Sequence, residues 1–207
     1  MAIEVDRVDG EDFKQCLCGV DALKQGHFLL ASGRHSNHYV EKFNLLRLPR
    51  ETQKACEGIY ERFRDANIDV VAGPTTGGVI LAYEVARQLG SAAAYAERCE
   101  SAPGREFRRG TRFSPGSRVL LVDDILTTGG SVRETLEALT HHPVEVIAVA
   151  VLVDRSGGSV TFSVPLMAQV TLDVETWASA ECPQCTLGEP LTKPGSTVAS
   201  GVTPGIL

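Results

Sequence analysis

Two adjacent carboxylates, Asp123 and Asp124, follow a short apolar run and precede a stretch of small hydrogen-bond donors. The apolar run, residues 119–122, has the composition of a buried parallel strand, which places both carboxylates at the carboxyl end of that strand. A helical pattern with apolar residues on one face begins at Val132. The residues that connect the acids to this helix are Ile125, Leu126, Thr127, Thr128, Gly129, Gly130 and Ser131.

The start of a helix attracts anions, because its first backbone N–H groups lack partners and its dipole is positive there. The glycines allow a phosphate to approach the backbone closely, and the hydroxyls add donors. Acids beside a phosphate repel it, unless the ligand also offers sugar hydroxyls and Mg²⁺ offsets the charge. The stretch therefore predicts a ribose-5-phosphate site, with the phosphate at the helix start and the sugar hydroxyls at the acids.

Other phosphate motifs fit this stretch less well. A P-loop requires Gly-Lys-Ser/Thr, and no lysine is present here. A dinucleotide fingerprint requires G-x-G-x-x-G directly after the strand, which is also missing. The remaining alternative is a plain strand–turn–helix corner in which aspartate caps the helix.

The order of hydrophobics, two acids and T-T-G-G-S resembles the motif that binds phosphoribosyl pyrophosphate (PRPP) in type I phosphoribosyltransferases. The resemblance implies an α/β fold, a type I phosphoribosyltransferase-like parallel sheet flanked by helices, with a small hood subdomain. We expect three regions: residues 1–45 with an N-terminal helix and hood, 46–176 as the core, and 177–207 as a tail containing Cys-Pro-Gln-Cys.

Strand and helix patterns alternate along the chain, which predicts a parallel sheet with right-handed crossovers. We predict helices at residues 11–24, 50–65 and 79–89, strands at 68–72, 92–96 and 145–153, extended pieces around Ser32-Gly33, an irregular segment at 97–116, and a hairpin-like pair at 160–164 and 168–174. Ligands of such sheets bind beyond the carboxyl ends of the strands. Three segments, 73–78, 123–131 and 154–155, should therefore meet at one rim.

The segment 73–78, Gly-Pro-Thr-Thr-Gly-Gly, is a second strand–loop–helix corner. In the phosphoribosyltransferase family the loop at this place holds the pyrophosphate of PRPP, which implies that role for Thr75, Thr76, Gly77 and Gly78. Taken alone, the loop could also be a tight turn with no ligand.

From about residue 26 to residue 196 the chain resembles the orotate phosphoribosyltransferases. The segment beginning at Phe28 is similar to their hood segment F-x-L-x-S-G, and Asp154-Arg155 matches a D-R pair whose arginine receives the orotate carboxylate. A planar, permanently charged guanidinium suits that role, although a surface salt bridge is the alternative for Arg155. The resemblance implies that Phe28, Ser32, Thr127 and Arg155 bind the base.

The resemblance implies catalytic roles for Asp123, Asp124 and Arg98. Of these, Arg98 matches a leading arginine of the family's mobile loop. Lysines of the family are replaced here by Ala31, Gly77 and Cys99. Arginines could supply the missing charge, since the same region holds Arg98, Arg105, Arg108, Arg109, Arg112 and Arg118. A solvated loop with no role is the alternative.

These departures from the family pattern keep two other functions open: transfer to another nitrogen base, and a regulator that binds PRPP without turnover.

The formal net charge of −6 argues against nucleic-acid and anionic membrane partners. No signal-peptide pattern precedes the first helix, so we expect a cytoplasmic protein with free thiols. Cys182 and Cys185 form a C-x-x-C, which is half of a zinc site, and Cys16 and Cys18 could supply the other half. A redox or zinc module built on this motif would leave the rest of the chain unexplained. Mg²⁺ bound through PRPP and a homodimer are implied by the resemblance.

Overall fold

The structure is a computed structural model that describes residues 10–30 and 32–194. Its α-helices are α1 (Glu11–Gly19), α2 (Lys42–Leu46), α3 (Pro49–Phe63), α4 (Gly77–Leu89), α5 (Gly130–Thr140) and α6 (Pro183–Thr186). Its strands are β1 (Leu23–Leu29), β2 (His35–Val40), β3 (Val70–Pro74), β4 (Ala92–Arg98), β5 (Arg105–Phe107), β6 (Ser117–Leu126), β7 (Val144–Asp154), β8 (Leu166–Thr171) and β9 (Thr176–Trp177). The described elements form two units: a core unit of residues 10–22 and 41–173, and a small unit of residues 23–30, 32–40 and 174–194.

The core unit is built on a six-stranded sheet in the order β5-β4-β3-β6-β7-β8. All neighbouring strands are parallel except β5, which pairs antiparallel with β4. Strands β3 and β7 flank β6, so the loops that follow these three strands emerge side by side at one edge. The predicted parallel sheet and the adjacency of its three loops are confirmed.

Strand β6 is covered on both faces, as its uninterrupted apolar sequence predicts. Val119 and Leu121 pack with Val132 and Leu139 of α5 in one hydrophobic cluster. Leu120 and its neighbours at alternate positions point to the other face, because side chains alternate along a strand, and they are fully buried as well. Full burial of one such side chain stabilises the fold by about 1.5–3 kcal/mol, so the strand that carries the acids is firmly held.

The small unit contains a three-stranded antiparallel sheet in the order β1-β2-β9. Strands β1 and β2 form a hairpin across Ser32 and Gly33, as predicted. The side chain of Arg34 reinforces the link to β9, donating from Nε to Thr176 Oγ1 over 2.9 Å. Ser36 Oγ donates to the carbonyl of Glu175 at 3.0 Å.

Three predicted segments differ from the structure. The first helix ends at Gly19 rather than at residue 24, because the chain turns at Asp21, where φ is 54°, and then enters β1. Residues 160–164 form no strand: Val160 and Phe162 pack on the core from a crossover segment that leads into β8, parallel to β7. The segment 97–116 is not wholly irregular, since it contains β5.

Within residues 10–30 and 32–194, no helix is both long enough and apolar enough to cross a bilayer.

Candidate active site

The acid pair lies at the end of β6, where the chain leaves the buried strand. Asp123 and Asp124 are only 5% and 4% exposed. Asp123 accepts hydrogen bonds from the backbone N–H of Asp124 at 2.9 Å and from the hydroxyl of Ser131 at 2.7 Å. The Ser131 hydroxyl is therefore directed at the acid, and a phosphate at this corner would meet Ser131 through its backbone N–H.

Burial of Asp123 and the neighbouring charge of Asp124 raise the pKa of the Asp123 carboxyl to about 6. The hydrogen bonds from Ser131 and from the backbone lower the pKa, as does the charge of Lys42, but burial prevails. Asp123 is thus a carboxylate at neutral pH that is held in an unfavourable environment. A ligand that offers hydroxyl donors would relieve this cost.

Asp124 is bound by a lysine that the sequence had not singled out. Lys42 Nζ lies 2.7 Å from Oδ2 and 3.0 Å from Oδ1 of Asp124. The backbone N–H of Ile125 also donates to Oδ1 at 2.7 Å. Lys42 stands at the start of the short helix α2, far from the acids in sequence, and no local pattern connects the two.

The start of α5 has the shape that the sequence predicts for an anion site. Gly129 has a φ of 78°, which favours glycine, and a Cβ at this position would lie only 3.0 Å from Val160 Cγ1. Both the backbone conformation and the available space therefore favour glycine here. Thr127 and Thr128 are exposed, as is Gly130. The first N–H groups of α5 have no partners within the helix and lie beside exposed threonine side chains.

The loop between β3 and α4 lies directly against the acid pair. Gly77 is buried, and a Cβ built on it would overlap Asp124 Oδ2 and lie 2.8 Å from Asp124 Cγ. Gly78 is buried against Pro74, whereas Thr76 is exposed. The predicted phosphate corners at 75–78 and 123–131 therefore adjoin, and position 77, where the resemblance implies a lysine, leaves no room for a side chain.

Arg105 supports this loop from beneath. Its Nη1 donates to Thr75 Oγ1 at 3.0 Å and to the carbonyl of Ala96 at 3.2 Å, and its Nε lies 3.2 Å from Glu134 Oε2. The Arg105 side chain is 3% exposed. The sequence analysis named Arg105 as one of several arginines that could supply the missing charge. In the structure Arg105 lies on β5, which pairs with β4, and its side chain is held against Thr75.

Several other arginines of this region are paired with glutamates. Arg108 Nη1 lies 2.8 Å from Glu100, and Arg109 Nη2 lies 3.0 Å from Glu97. Arg118 lies outside the loop and pairs with a glutamate on β7. Among the residues that the structure describes, Arg98 and Arg112 form no ion pair, and both are exposed. Arg98 ends β4 and so lies at the same sheet edge as the acids.

Arg155 follows β7, and its backbone N–H donates to the carbonyl of Leu126 at 2.8 Å. This places it beside the residues that link β6 to α5, as predicted. The other predicted base contacts, Phe28 and Ser32, lie in the small unit, with Phe28 buried and Ser32 exposed. Ala31, the position of the absent hood lysine, lies outside the described residues.

Cys182 and Cys185 have neighbours other than those proposed from the sequence. Cys16 and Cys18, suggested as the second half of a zinc site, lie in α1 and are not part of the metal-ligating group found among the described residues. The side chains that accompany Cys182 and Cys185 are His27 and His35.

Comparisons with known proteins identify the family of the chain. Residues 43–161 match the phosphoribosyl transferase domain family. An orotate phosphoribosyltransferase of Caldicellulosiruptor saccharolyticus is 44% identical over 186 residues, covering 90% of this chain and 96% of that protein. One of Thermotoga maritima is 39% identical and covers 88% and 97%. The crystal structure of orotate phosphoribosyltransferase from Aeropyrum pernix has a TM-score of 0.66 at 29% identity, covering 76% of this chain and 92% of that one. The resemblance is confirmed, and the chain belongs to the orotate phosphoribosyltransferase family, with the type I phosphoribosyltransferase fold.

Proposed function

We propose that this chain transfers the ribose-5-phosphate group of PRPP to orotate, giving orotidine 5′-monophosphate and pyrophosphate. The observation that carries the proposal is the contact between Gly77 and Asp124, which joins two phosphate-binding corners around one pair of carboxylates. A diphosphate and a ribose phosphate carried by the same substrate require two such corners side by side. Transfer to another base, or binding without turnover, would use the same corners and must be separated by assay.

The chain's own residues would act by positioning and by charge. As pyrophosphate leaves C1 of the ribose, positive charge develops on the sugar and negative charge on the leaving group. Asp123 and Asp124 would hold the 2′ and 3′ hydroxyls and stabilise the sugar cation by their negative charge. The N–H groups at residues 127–131 bind the 5′-phosphate, and the loop 75–78 with Arg98 binds the pyrophosphate. No covalent nucleophile is needed.

The donor set fits Mg²⁺ that is carried by the substrate. Family members generally use Mg²⁺ with PRPP, and carboxylates with ribose and phosphate oxygens are the ligands this ion prefers. The carboxylates here already accept from Ser131, from Lys42 and from the backbone. This favours an ion held mainly by PRPP oxygens with the acid pair nearby. When bound, Mg²⁺ neutralises charge on the pyrophosphate.

We assign the carboxylate of the base to Arg155, as the family resemblance implies, while Phe28, Ser32 and Thr127 stay predictions from the sequence. A guanidinium forms two parallel hydrogen bonds with a carboxylate, and orotate is the pyrimidine that carries one. Purine bases and uracil lack this group. A guanidinium partner therefore favours orotate over the alternative bases.

Turnover of PRPP with orotate, uracil, adenine, guanine and hypoxanthine in the presence of Mg²⁺ tests the proposal. Of these five bases, we expect only orotate to give a nucleotide. The double variant Asp123→Asn, Asp124→Asn should keep the fold and lose most turnover, whereas the exposed control Asp65→Asn should remain active. Formation of a different nucleotide, or PRPP binding without pyrophosphate release, would overturn the proposal.

We further propose a homodimer, which the family resemblance implies, and a cytoplasmic location. Light scattering of the purified chain measures the first directly, with twice the chain mass of 22.2 kDa as the expected result.

A further inference from the structure

Four metal-ligating side chains of the small unit converge on one point. His27 Nε2 lies 2.9 Å from His35 Nδ1 and 3.4 Å from Cys182 Sγ. Cys185 Sγ lies 3.3 Å from His35 Nδ1 and 3.7 Å from His27 Nε2. All four ligand atoms lie within 4.8 Å of one another.

These separations resemble the edges of a zinc coordination tetrahedron. With Zn–N bonds of ~2.0 Å and Zn–S bonds of ~2.3 Å, the ligand atoms of a tetrahedral site lie roughly 3.3–3.8 Å apart. Three of the four contacts, at 3.3, 3.4 and 3.7 Å, fall within this range, and the 2.9 Å contact between the two histidine nitrogens is shorter. The other ligand atoms of the group lie within 4.8 Å of one another. Two thiols and two imidazoles are a donor set that favours Zn²⁺ over Mg²⁺ or Ca²⁺, which prefer oxygen ligands.

The hydrogen bond of His27 Nδ1 determines which tautomer of the ring is present at the cluster. His27 Nδ1 lies 2.9 Å from the backbone carbonyl of Glu189, and since a carbonyl only accepts, Nδ1 carries the proton. In the neutral ring, Nε2 then presents its lone pair to the cluster. Metal-binding histidines commonly donate their other N–H to a carbonyl in this manner.

Hydrogen bonding alone accounts poorly for the cluster. The lone pair of His27 Nε2 is approached by His35 Nδ1 and by both sulfurs, and it can accept only one strong bond. His27 and His35 are each 4% exposed and Cys182 is 1% exposed, so water can satisfy only Cys185, which is exposed. A shared cation would satisfy all four groups at once.

The ligands come from two separate parts of the small unit. His27 lies on β1 and His35 on β2, whereas Cys182 precedes the short helix α6 as its N-cap and Cys185 lies within that helix. Strands β2 and β9 share two residue pairs, and two backbone hydrogen bonds join Thr192 to His27 and Leu29 of β1. A subdomain of this size usually needs a metal or disulfide to hold its parts together.

We propose that His27, His35, Cys182 and Cys185 bind one Zn²⁺ in a closed, structural site that fastens residues 179–189 to the β1–β2 hairpin. With four protein ligands the metal has no open position, so it takes no part in phosphoribosyl transfer. The presence or absence of this zinc site therefore does not decide whether the chain transfers the phosphoribosyl group.

Metal analysis of the full chain, purified reduced and without a histidine tag, tests the site. After zinc loading and removal of loose metal, we expect close to one zinc per chain. The pair Cys182→Ser, Cys185→Ser should lose it, and the matched pair Cys16→Ser, Cys18→Ser should keep it. A zinc-free wild-type chain, or zinc retained without Cys182 and Cys185, would contradict the site.

Two further measurements on folded protein avoid dependence on variants that unfold. Co²⁺ added to the metal-free wild-type chain should give the visible absorption of tetrahedral, thiolate-bound cobalt, and zinc should displace it. The variant His35→Cys keeps four ligands and should still bind zinc. An octahedral cobalt spectrum, or a Cys182–Cys185 disulfide found in the native chain by mass spectrometry, would overturn the proposal.

Discussion

Lys42 Nζ and Asp124 Oδ2 lie 2.7 Å apart although their residues are 82 positions apart in sequence. The Lys42 side chain is 35% exposed and that of Asp124 is 5% exposed, so the cation shields a buried charge from the solvent side. This contact places a lysine beside the acid pair, in a chain that lacks family lysines at positions 31, 77 and 99.

Replacing Lys42 with methionine should destabilise the protein by about 1–3 kcal/mol, because Asp124 would keep a buried charge without its cation. The pKa of Asp123 should rise further, since the charge of Lys42 is among the influences that lower it. Urea denaturation at pH 7.5 measures the first effect, and the acid limb of the rate profile measures the second. Lys54→Met is the control: Lys54 pairs with Glu51 on an exposed helix face and should change stability little. Equal effects at the two lysines would remove the special role of Lys42.

The raised pKa of Asp123 predicts opposite effects on stability and activity. With a folded pKa of about 6, above the usual value of about 3.9, the folded state holds a proton that the unfolded chain releases. This group's contribution to stability is therefore full below pH ~4, falls as pH rises to about 6, and stays low above it. Turnover should instead fall below pH 6, as the protonated acid loses its charge.

The variant Asp123→Asn separates these effects, because asparagine cannot ionise. We expect the free energy of unfolding of this variant at pH 7.5 to lie between the wild-type value and a value ~3 kcal/mol higher. We also expect the variant to lose most of its turnover. Melting temperatures of both proteins between pH 4 and pH 8 provide the measurement. A strongly destabilised variant at pH 7.5 would contradict the raised pKa.

Gly77→Ala should impair turnover more than folding. A Cβ at residue 77 overlaps the Asp124 carboxylate, which must move away from Lys42 and from the ribose position. We expect KM for PRPP to rise at least tenfold, measured at saturating orotate. Gly19→Ala is the matched control, since a Cβ there meets nothing within 4 Å. Unchanged PRPP kinetics in Gly77→Ala would show that the two corners do not share a ligand.

Arg155→Gln should raise KM for orotate while leaving KM for PRPP nearly unchanged. Loss of a bidentate charged contact costs about 2–3 kcal/mol, which corresponds to a 30- to 150-fold change. Arg155→Lys should restore little, because a lysine cannot form the paired contact. Equal effects on both substrates would place Arg155 outside the base site.

The sequence predicted the parts of the site that depend on local pattern. Strand β6, the acids and the glycine at the start of α5 follow one another directly, so periodicity and helix-end chemistry locate them. Lys42 was missed, as were the contact of Arg105 with Thr75 and the two histidines, His27 and His35, that accompany Cys182 and Cys185. Each depends on a contact across tens of residues, which only the fold brings about. The spacing of Val160 and Phe162 resembled a strand because a crossover segment packed on a core also buries alternate residues.

A crystal structure with PRPP and Mg²⁺ bound tests the central claim most directly. The account predicts the 5′-phosphate within hydrogen-bond distance of the backbone N–H groups of residues 127–131. It also predicts the ribose 2′ and 3′ hydroxyls at Asp123 and Asp124, and the pyrophosphate against residues 75–78. PRPP bound with its ribose away from the acid pair, or with its 5′-phosphate away from the start of α5, would contradict it.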